Sequence, residues 1–284
     1  MAPLWAIGLS LIPACLAVRG IGGEKPLDME HEPPTRHTAP VFSGDQHVFM
    51  AHHTTPELSF ATYVITLRER RRHVETFLRD LGLSNVAHIQ PAVLKSRLDL
   101  HSLVAHGHVK KQAGLSMGEI ACSLSHREVL KHFLQTNKTH VLVFEDDARV
   151  GSGIEKELQT ERGANFTMVQ FFEELAQTSE KLGWHGLNLG RCWDHCDEDH
   201  AVMKVSEQID VVKSKRSLCT YGYLFTREGA KIHLKSTGRL RDAEDRVRMS
   251  FPNFVYMSTR PRLLEQAVHK TNSINGEKFH PECK

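Results

Sequence analysis

Several features that would assign this chain of 284 residues to other classes of protein are missing from it. Beyond the first residues, no stretch approaches the roughly 20 consecutive apolar residues that a membrane helix needs. The formal net charge is only +2, so the chain has no general electrostatic attraction to nucleic acid or to acidic membranes. No segment repeats at a fixed period. We therefore expect neither a nucleic-acid partner nor a transmembrane span.

Cysteines are few, and their spacing does not complete a zinc site. The chain has six, of which Cys192 and Cys196 enclose Trp193-Asp194-His195 and could supply half of a zinc site. No second Cys/His pair follows at finger-like spacing, and a disulfide in an oxidising compartment is the more common use of such a pair. Cys122 and Cys219 have apolar neighbours, which predicts buried free thiols.

The amino-terminal residues resemble a secretory leader. An apolar run from Leu4 to Ile12 is too short to span a bilayer. Cys15 and Ala17 are small residues of the kind that a signal peptidase accepts. We predict a signal peptide at residues 1–17, with an unstructured apolar leader as the alternative.

The remaining chain divides by composition. Residues 18–57 are rich in Pro, His, Glu and Gly without a period, which predicts a poorly ordered arm or linker. The folded domain is predicted at 58–270, followed by a tail at 271–284. The triplets Asn137-Lys138-Thr139 and Asn165-Phe166-Thr167 are acceptor sequences for N-glycosylation. They agree with a location in the lumen of the secretory pathway or with secretion.

Strand and helix patterns alternate from about residue 58. Val141–Phe144 is apolar at every position, as a strand buried on both faces is. Ser116 and Glu119 form a capping box at the start of an apolar-striped helix that continues to about Gln135. The other predicted elements are strands at Tyr63–Leu67, Gly186–Leu189, Tyr221–Phe225 and Phe254–Met257 and helices at Val74–Leu81, before Gly82, and at Arg227–Leu234. This order predicts an α/β fold with a mostly parallel, twisted sheet flanked by helices.

Three carboxylates, Glu145-Asp146-Asp147, directly follow the most apolar strand. Charges at the edge of a core are costly unless they have partners, and ligands of open α/β sheets bind outside the carboxyl ends of the strands. Glu145 and Asp147 would point to the same side of an extended chain and could share a hard divalent cation, Mn²⁺ or Mg²⁺. Such a cation would neutralise the diphosphate of a nucleotide-sugar. The alternative is an acidic helix cap without a metal.

Two segments carry a resemblance to a known family. Met117-Gly118-Glu119-Ile120-Ala121-Cys122-Ser123-Leu124-Ser125-His126, followed by the segment Val141 to Asp147, resembles the signature of glycosyltransferase family 25. That family includes lipooligosaccharide and collagen hydroxylysine galactosyltransferases. Further similar blocks occur in the same order at Val64–Leu67, Leu187–Gly190 and Tyr223–Ala230. The resemblance covers roughly residues 58–266. It implies a Rossmann-like GT-A fold, a UDP-sugar donor, often UDP-galactose, and inverting transfer to a hydroxyl acceptor on a glycan or protein.

The resemblance also implies site residues. An inverting transfer needs a carboxylate that removes the proton of the acceptor hydroxyl, and the family pattern places an acidic residue at Asp245. Asp242, three residues earlier, would share a helix face with it. The alternative for both is a solvated helix surface. The predicted metal ligands are Glu145 and Asp147, and the predicted donor-binding residues are Thr66, Arg70, Arg72, Ser125, His126 and Asp146.

Each of these assignments has a plainer alternative. The run Arg68 to Arg72 is either a basic wall for a pyrophosphate or a solvated surface, and His126 either contacts the donor or faces the core. Trp184 and Trp193 either stack on a sugar or pack in the interior. A secreted binding or adhesion protein that keeps the fold without catalysis is the competing function, against which the intact acidic triplet argues. A metal-dependent phosphoesterase would need further His and Asp ligands at several strand ends, and the sequence has no such set.

Overall fold

The computed structural model describes residues 57–192, 196–215 and 217–267. The predicted signal peptide at 1–17, nearly all of the predicted arm at 18–57, the tail at 271–284 and Trp193 lie outside the described residues. The strands are β1 (Phe60–Thr66), β2 (Ala87–Pro91), β3 (His140–Glu145), β4 (Ala148–Val150), β5 (Gly186–Asn188), β6 (His200–Lys204), β7 (Asp210–Lys213), β8 (Gly222–Thr226), β9 (Tyr256–Arg260) and β10 (Leu264–Gln266). The helices are α1 (Arg71–Asp80), α2 (Leu100–Ala105), α3 (Met117–Leu134), α4 (Ile154–Arg162), α5 (Met168–Leu182), α6 (Arg227–Ser236) and α7 (Glu244–Arg248).

Eight strands form one mixed sheet in the order β2-β1-β3-β8-β5-β9-β7-β6. β1 runs parallel to β2 and β3, and β5 runs parallel to β9. β8 and β7 are antiparallel to their neighbours, so six of the eight strands point in one direction. The predicted α/β fold, with a mostly parallel sheet flanked by helices, is confirmed. β4 and β10 pair separately as a two-stranded ribbon.

β3 is buried along its whole length, and its two faces meet different helices. Leu142 and Phe144 join a cluster with residues of α1 and α5, whereas Val141 and Val143 join one with residues of α3 and α6. Burial on both faces explains why the strand is apolar at every position. Because side chains alternate along a strand, Glu145 follows Val141 and Val143 onto the face that α3 covers.

Helix α3 begins where the sequence predicts. The Ser116 hydroxyl accepts a hydrogen bond from the Glu119 backbone N–H at 3.2 Å, and the Glu119 carboxylate accepts one from the Ser116 N–H at 2.8 Å. This reciprocal pair satisfies two backbone donors that a helix start otherwise leaves unpaired. Among the described residues, no helix combines the length and the apolar composition needed to cross a membrane.

Gly222 brings the β4–β10 ribbon close to the sheet. A Cβ atom at this position would overlap the Leu264 side chain and would lie 3.1 Å from Cδ1 of Phe144. Only glycine therefore allows Leu264 to pack against β8 at this point. The close approach holds β10 beside the end of β3, where the acidic residues lie.

The predicted free thiols at Cys122 and Cys219 are wrong, whereas Cys192 and Cys196 do form disulfides, though not with each other. Cys192 forms a disulfide with Cys219, with their Cα atoms 5.6 Å apart, and Cys122 and Cys196 are also disulfide-bonded. Apolar neighbours in sequence indicate that a cysteine is buried, but they do not show which second cysteine the fold brings next to it. The described cysteines therefore fit an oxidising compartment.

Candidate active site

The three acidic residues lie at the carboxyl end of β3, and all are almost completely buried. The exposed fractions of Glu145, Asp146 and Asp147 are 7%, 3% and 2%. β3 ends at Glu145, and the next two residues form a turn rather than extended chain. The expected alternation therefore does not continue to Asp147, and each carboxylate meets its own set of neighbours.

Asp146 joins the ends of β3 and β1. Its carboxylate accepts hydrogen bonds from the Thr66 hydroxyl at 3.2 Å, the Leu67 backbone N–H at 2.9 Å and the Arg70 guanidinium at 2.9 Å. The structure therefore brings together three predicted donor-binding residues, Thr66, Arg70 and Asp146. Arg72 is exposed in the first turn of α1.

Asp147 keeps one carboxylate oxygen without a hydrogen bond. Its Oδ2 accepts from the Gln266 side-chain amide of β10 at 2.8 Å, while its buried Oδ1 has no hydrogen-bond partner among the described residues. Burial, followed by the negative charge of Glu145, raises the pKa of Asp147 to about 7, and Gln266 opposes the rise only partly. A buried acceptor beside other carboxylates fits a hard cation, which would satisfy the oxygen and neutralise the repulsion.

Glu145 is held in its ionised form. Its Oε1 accepts hydrogen bonds from His126 Nε2, at 3.0 Å, and from the Thr220 hydroxyl. Burial raises the pKa of this carboxyl, but the two hydrogen bonds and the charge of Arg248 outweigh that effect, so the pKa falls below its usual range. Glu145 thus supplies a fixed negative charge next to Asp147.

His126 and Ser125 both have partners inside the protein. The ring of His126 is buried, and its Nδ1 lies 3.0 Å from the Tyr223 hydroxyl of β8. Since a carboxylate only accepts, Nε2–H donates to Glu145, and Nδ1 shares the hydrogen bond with the Tyr223 hydroxyl. The Ser125 hydroxyl donates to the Ala121 carbonyl and accepts from the Val93 N–H, each at 2.8 Å. His126 therefore matches the core-facing alternative.

The two candidate bases have different surroundings. Asp245 is fully buried in α7, and its carboxylate accepts from the backbone N–H groups of Cys219, at 3.1 Å, and Arg246, at 2.8 Å. Burial raises the pKa of Asp245, and these two hydrogen bonds offset part of the rise. Asp242 is partly exposed and binds Arg246 Nε at 2.7 Å. It precedes the helix, which begins at Glu244, so the expected shared helix face is wrong. The solvated-surface alternative is also wrong for Asp245.

A buried ionic cluster below the site was not recognised in the sequence. The Arg248 guanidinium lies 3.9 Å from the centroid of the Tyr223 ring and forms a 2.8 Å ion pair with Glu244. Glu244 also lies 2.8 Å from His233. The four-residue spacing of Glu244 and Arg248 is the one signal that could have predicted the ion pair. Trp184, considered as a sugar-stacking residue, is buried and donates to Thr178 at 2.9 Å.

A second group of possible metal ligands does not fit a cation. Donor atoms of Cys122, His126 and Glu145 lie within 4.8 Å of one another. However, Cys122 is disulfide-bonded, and only a thiolate is an effective metal ligand. The oxygen atoms around Asp147 are therefore the better candidate.

Comparisons with known proteins identify the same family that the sequence motifs resemble. The family model described as "Glycosyltransferase family 25 (LPS biosynthesis protein)" matches residues 60–247. The chain is similar to a "Glycosyltransferase 25 family member" of Anopheles gambiae, with 32% identity over 121 residues, 43% of this chain and 18% of that protein. It is also similar to "Procollagen galactosyltransferase 1-A" of Xenopus laevis, with 30% identity over 135 residues, 48% of this chain and 19% of that protein. The alignments thus span less than a fifth of each relative. Gln266 lies beyond the matched family segment.

Proposed function

We propose that the chain, which belongs to glycosyltransferase family 25, is a glycosyltransferase that transfers a hexose from a UDP-sugar to a hydroxyl acceptor on a glycan or a protein. Galactose is the first candidate, since one relative carries the name of a galactosyltransferase. The observation that carries the proposal is the buried Asp147 oxygen without a hydrogen bond, next to two further carboxylates at the carboxyl end of β3. Ligands of open α/β sheets bind at this end of the strands.

Asp147 and Glu145 are the residues that would hold a divalent cation, Mn²⁺ or Mg²⁺. A cation would stabilise the ionised carboxylate of Asp147, which burial and the charge of Glu145 otherwise disfavour. Glu145 offers a carboxylate that its neighbours keep ionised. When bound, the cation supplies positive charge to the diphosphate leaving group. His126 and Thr220 act on this site through Glu145, whose position they fix.

Arg70 and Asp146 organise the side of the site next to β1. The Arg70–Asp146 ion pair and the bond from Leu67 N–H fix the turn that follows β1. This turn presents Thr66 and the start of the basic segment beside the acidic triplet. We assign Thr66, Arg70, Arg72 and Asp146 to the donor side, where the arginines would balance the phosphate charge. Ser125 supports the same side by holding the Val93 backbone.

We propose that the general base is either Asp245 or Asp242. Inverting transfer requires a carboxylate that accepts the acceptor's proton, and a pKa raised toward the working pH favours that role. Asp245 has the raised pKa, whereas Asp242 has access to solvent. The pH dependence of transfer separates them, because replacement of the true base by asparagine removes the acidic limb of the profile.

The proposed location is the lumen of the secretory pathway. The disulfide between Cys192 and Cys219 and the bonded Cys122 and Cys196 support it, because disulfides persist in oxidising compartments. The acceptor named for the Xenopus relative is procollagen, and a hydroxyl on a protein is accordingly the first acceptor to test.

The function is tested by incubating the purified chain with individual UDP-hexoses, with Mn²⁺ or with excess chelator, and measuring released UDP. The proposal predicts release from one or few UDP-hexoses, dependent on Mn²⁺, and an increase when a hydroxylated acceptor is added. Binding of UDP-sugars without release or transfer would instead favour the non-catalytic binding protein.

A further inference from the structure

Two asparagines of the acceptor triplets lie on the surface in connecting segments. Asn137 is exposed between α3 and β3, and Asn165 is exposed in the turn between α4 and α5. Neither triplet has proline at its middle position, and each ends in threonine, as the acceptor sequence for N-glycosylation requires. A large polar glycan at either position would project into solvent without displacing packed side chains.

The disulfides provide independent evidence about the compartment in which the chain folds. Cys192 is bonded to Cys219, and Cys122 and Cys196 are also disulfide-bonded. A chain that acquires these disulfides does so in an oxidising compartment. In eukaryotic cells, N-glycosylation takes place in the lumen of such a compartment.

From exposure and compartment together, we propose that Asn137 and Asn165 are N-glycosylation sites. The co-substrate is an oligosaccharide joined to a lipid through a diphosphate. The amide Nδ2 of asparagine forms a bond to the anomeric carbon while the bond from that carbon to the diphosphate oxygen breaks. The diphosphate leaves with the electron pair of that bond, and a base of the modifying enzyme takes up the proton that the amide loses.

Both sites lie away from the acidic triplet. Asn137 precedes the amino end of β3, and Glu145 is at the carboxyl end, so five strand steps from His140 alone separate them by roughly 17 Å. The end of α4, near Asn165, contacts the loop between β6 and β7, because Arg162 donates to the Val205 carbonyl. Four strand spacings between β3 and β7 in the sheet order correspond to roughly 19 Å. Glycans at these positions leave the carboxyl end of β3 open.

The test expresses the full chain in cultured animal cells and compares its electrophoretic mobility before and after peptide N-glycosidase treatment. The variants are Asn137→Gln, Asn165→Gln and the double variant. Thr167 also caps α5, accepting from the Gln170 N–H at 3.3 Å, so two matched variants separate capping from modification. Thr167→Asp keeps a capping side chain but destroys the triplet, and Thr167→Ser keeps both.

The proposal predicts one step in electrophoretic mobility for each glycan that the glycosidase removes. The wild type should show two such steps, each single asparagine variant one and the double variant none. Thr167→Asp should lose the same step as Asn165→Gln, whereas Thr167→Ser should keep it. The proposal is overturned if the glycosidase leaves the mobility of the wild type unchanged, whether the recovered protein contains disulfides or free thiols. The assignment of Asn165 is overturned if Asn165→Gln or Thr167→Asp keeps both steps, and that of Asn137 is overturned if Asn137→Gln keeps both.

Discussion

Asp147 is the residue at which folding and the proposed function make opposite demands. Its carboxyl is buried beside Glu145, and its pKa is raised to about 7. Below about pH 4 this carboxyl is protonated in both the folded and the unfolded chain. Between about pH 4 and pH 7 the unfolded chain ionises it first, so the folded state loses stability as the pH rises. A shift of this size corresponds to at most about 4 kcal/mol.

The first prediction follows from this sign. In excess chelator, Asp147→Asn should increase the free energy of unfolding at pH 8, and the difference from wild type should shrink toward pH 4. Added Mn²⁺ should stabilise the wild type and leave the variant unchanged, because only the carboxylate gains from a cation. Urea unfolding at several pH values, with and without Mn²⁺, measures both effects. A variant that is less stable than wild type at pH 8 in chelator would contradict the assignment.

At the scale of elements, α3, β3 and β8 are joined by hydrogen bonds among the side chains of His126, Glu145 and Tyr223. The imidazole links the other two side chains through bonds of 3.0 Å on each side. Glu145 is a proposed metal ligand, and partners one step removed from a metal ligand fix the ligand's orientation.

The second prediction compares two tyrosines of the same cluster. Tyr223→Phe removes the hydroxyl that orients His126, and we expect Mn²⁺ affinity to fall about 10-fold. Tyr256→Phe removes a hydroxyl that contacts Arg248 at 3.4 Å but not His126, and it should leave Mn²⁺ affinity unchanged. Titration of Mn²⁺ by electron paramagnetic resonance distinguishes them. Equal affinities in the two variants would show that Tyr223 does not position Glu145.

The start of α3 gives a third prediction. Ser116→Ala removes the side chain that caps this helix and should lower the free energy of unfolding by about 1 kcal/mol. Ser116→Asp, which can still cap, should recover most of that loss. Denaturant unfolding of the three proteins measures the difference, and an unchanged Ser116→Ala midpoint would mean that the capping box contributes little.

At the scale of the whole molecule, the disulfide between Cys192 and Cys219 joins the segment after β5 to the one before β8. Their sequence separation of 27 residues corresponds to a loop-closure contribution of about 3.6 kcal/mol. The fourth prediction is that Cys192→Ala/Cys219→Ala lowers the free energy of unfolding by up to this amount. It should also reduce Mn²⁺ affinity, because Thr220, which binds Glu145, follows Cys219 directly. Undiminished stability and metal affinity would contradict this account.

Local periodicity was sufficient to predict five of the eight strands of the sheet and the helices α1, α3 and α6, but not α2, α4 or α5. The bounds of the predicted strands at Tyr63–Leu67 and Val141–Phe144 lie within three residues of those of β1 and within one of those of β3, because burial on both faces leaves a continuous apolar run. The hairpin of β6 and β7 was not predicted, since β6 is largely exposed. Its sequence therefore carries little pattern.

The chemistry of the site was only partly accessible in the sequence. The acidic triplet was found because it interrupts an apolar strand. Its partners were not found, because Thr220 and Gln266 lie 75 and 119 residues from the carboxylates that they bind. Contacts at such separations depend on topology, and so do the disulfide pairings.

The most direct test of the proposed metal-dependent transfer is its rate against Mn²⁺ concentration for wild type, Asp147→Asn and Asp80→Asn. Asp80 is an exposed residue at the end of α1 and serves as a control for the loss of one negative charge. The account predicts that wild type and Asp80→Asn transfer hexose from a UDP-sugar with the same Mn²⁺ dependence and stop in chelator. Asp147→Asn should be folded and slower by roughly 10²-fold, which corresponds to about 3 kcal/mol of barrier. Full transfer by the wild type in excess chelator, or by Asp147→Asn at any Mn²⁺ concentration, would contradict it.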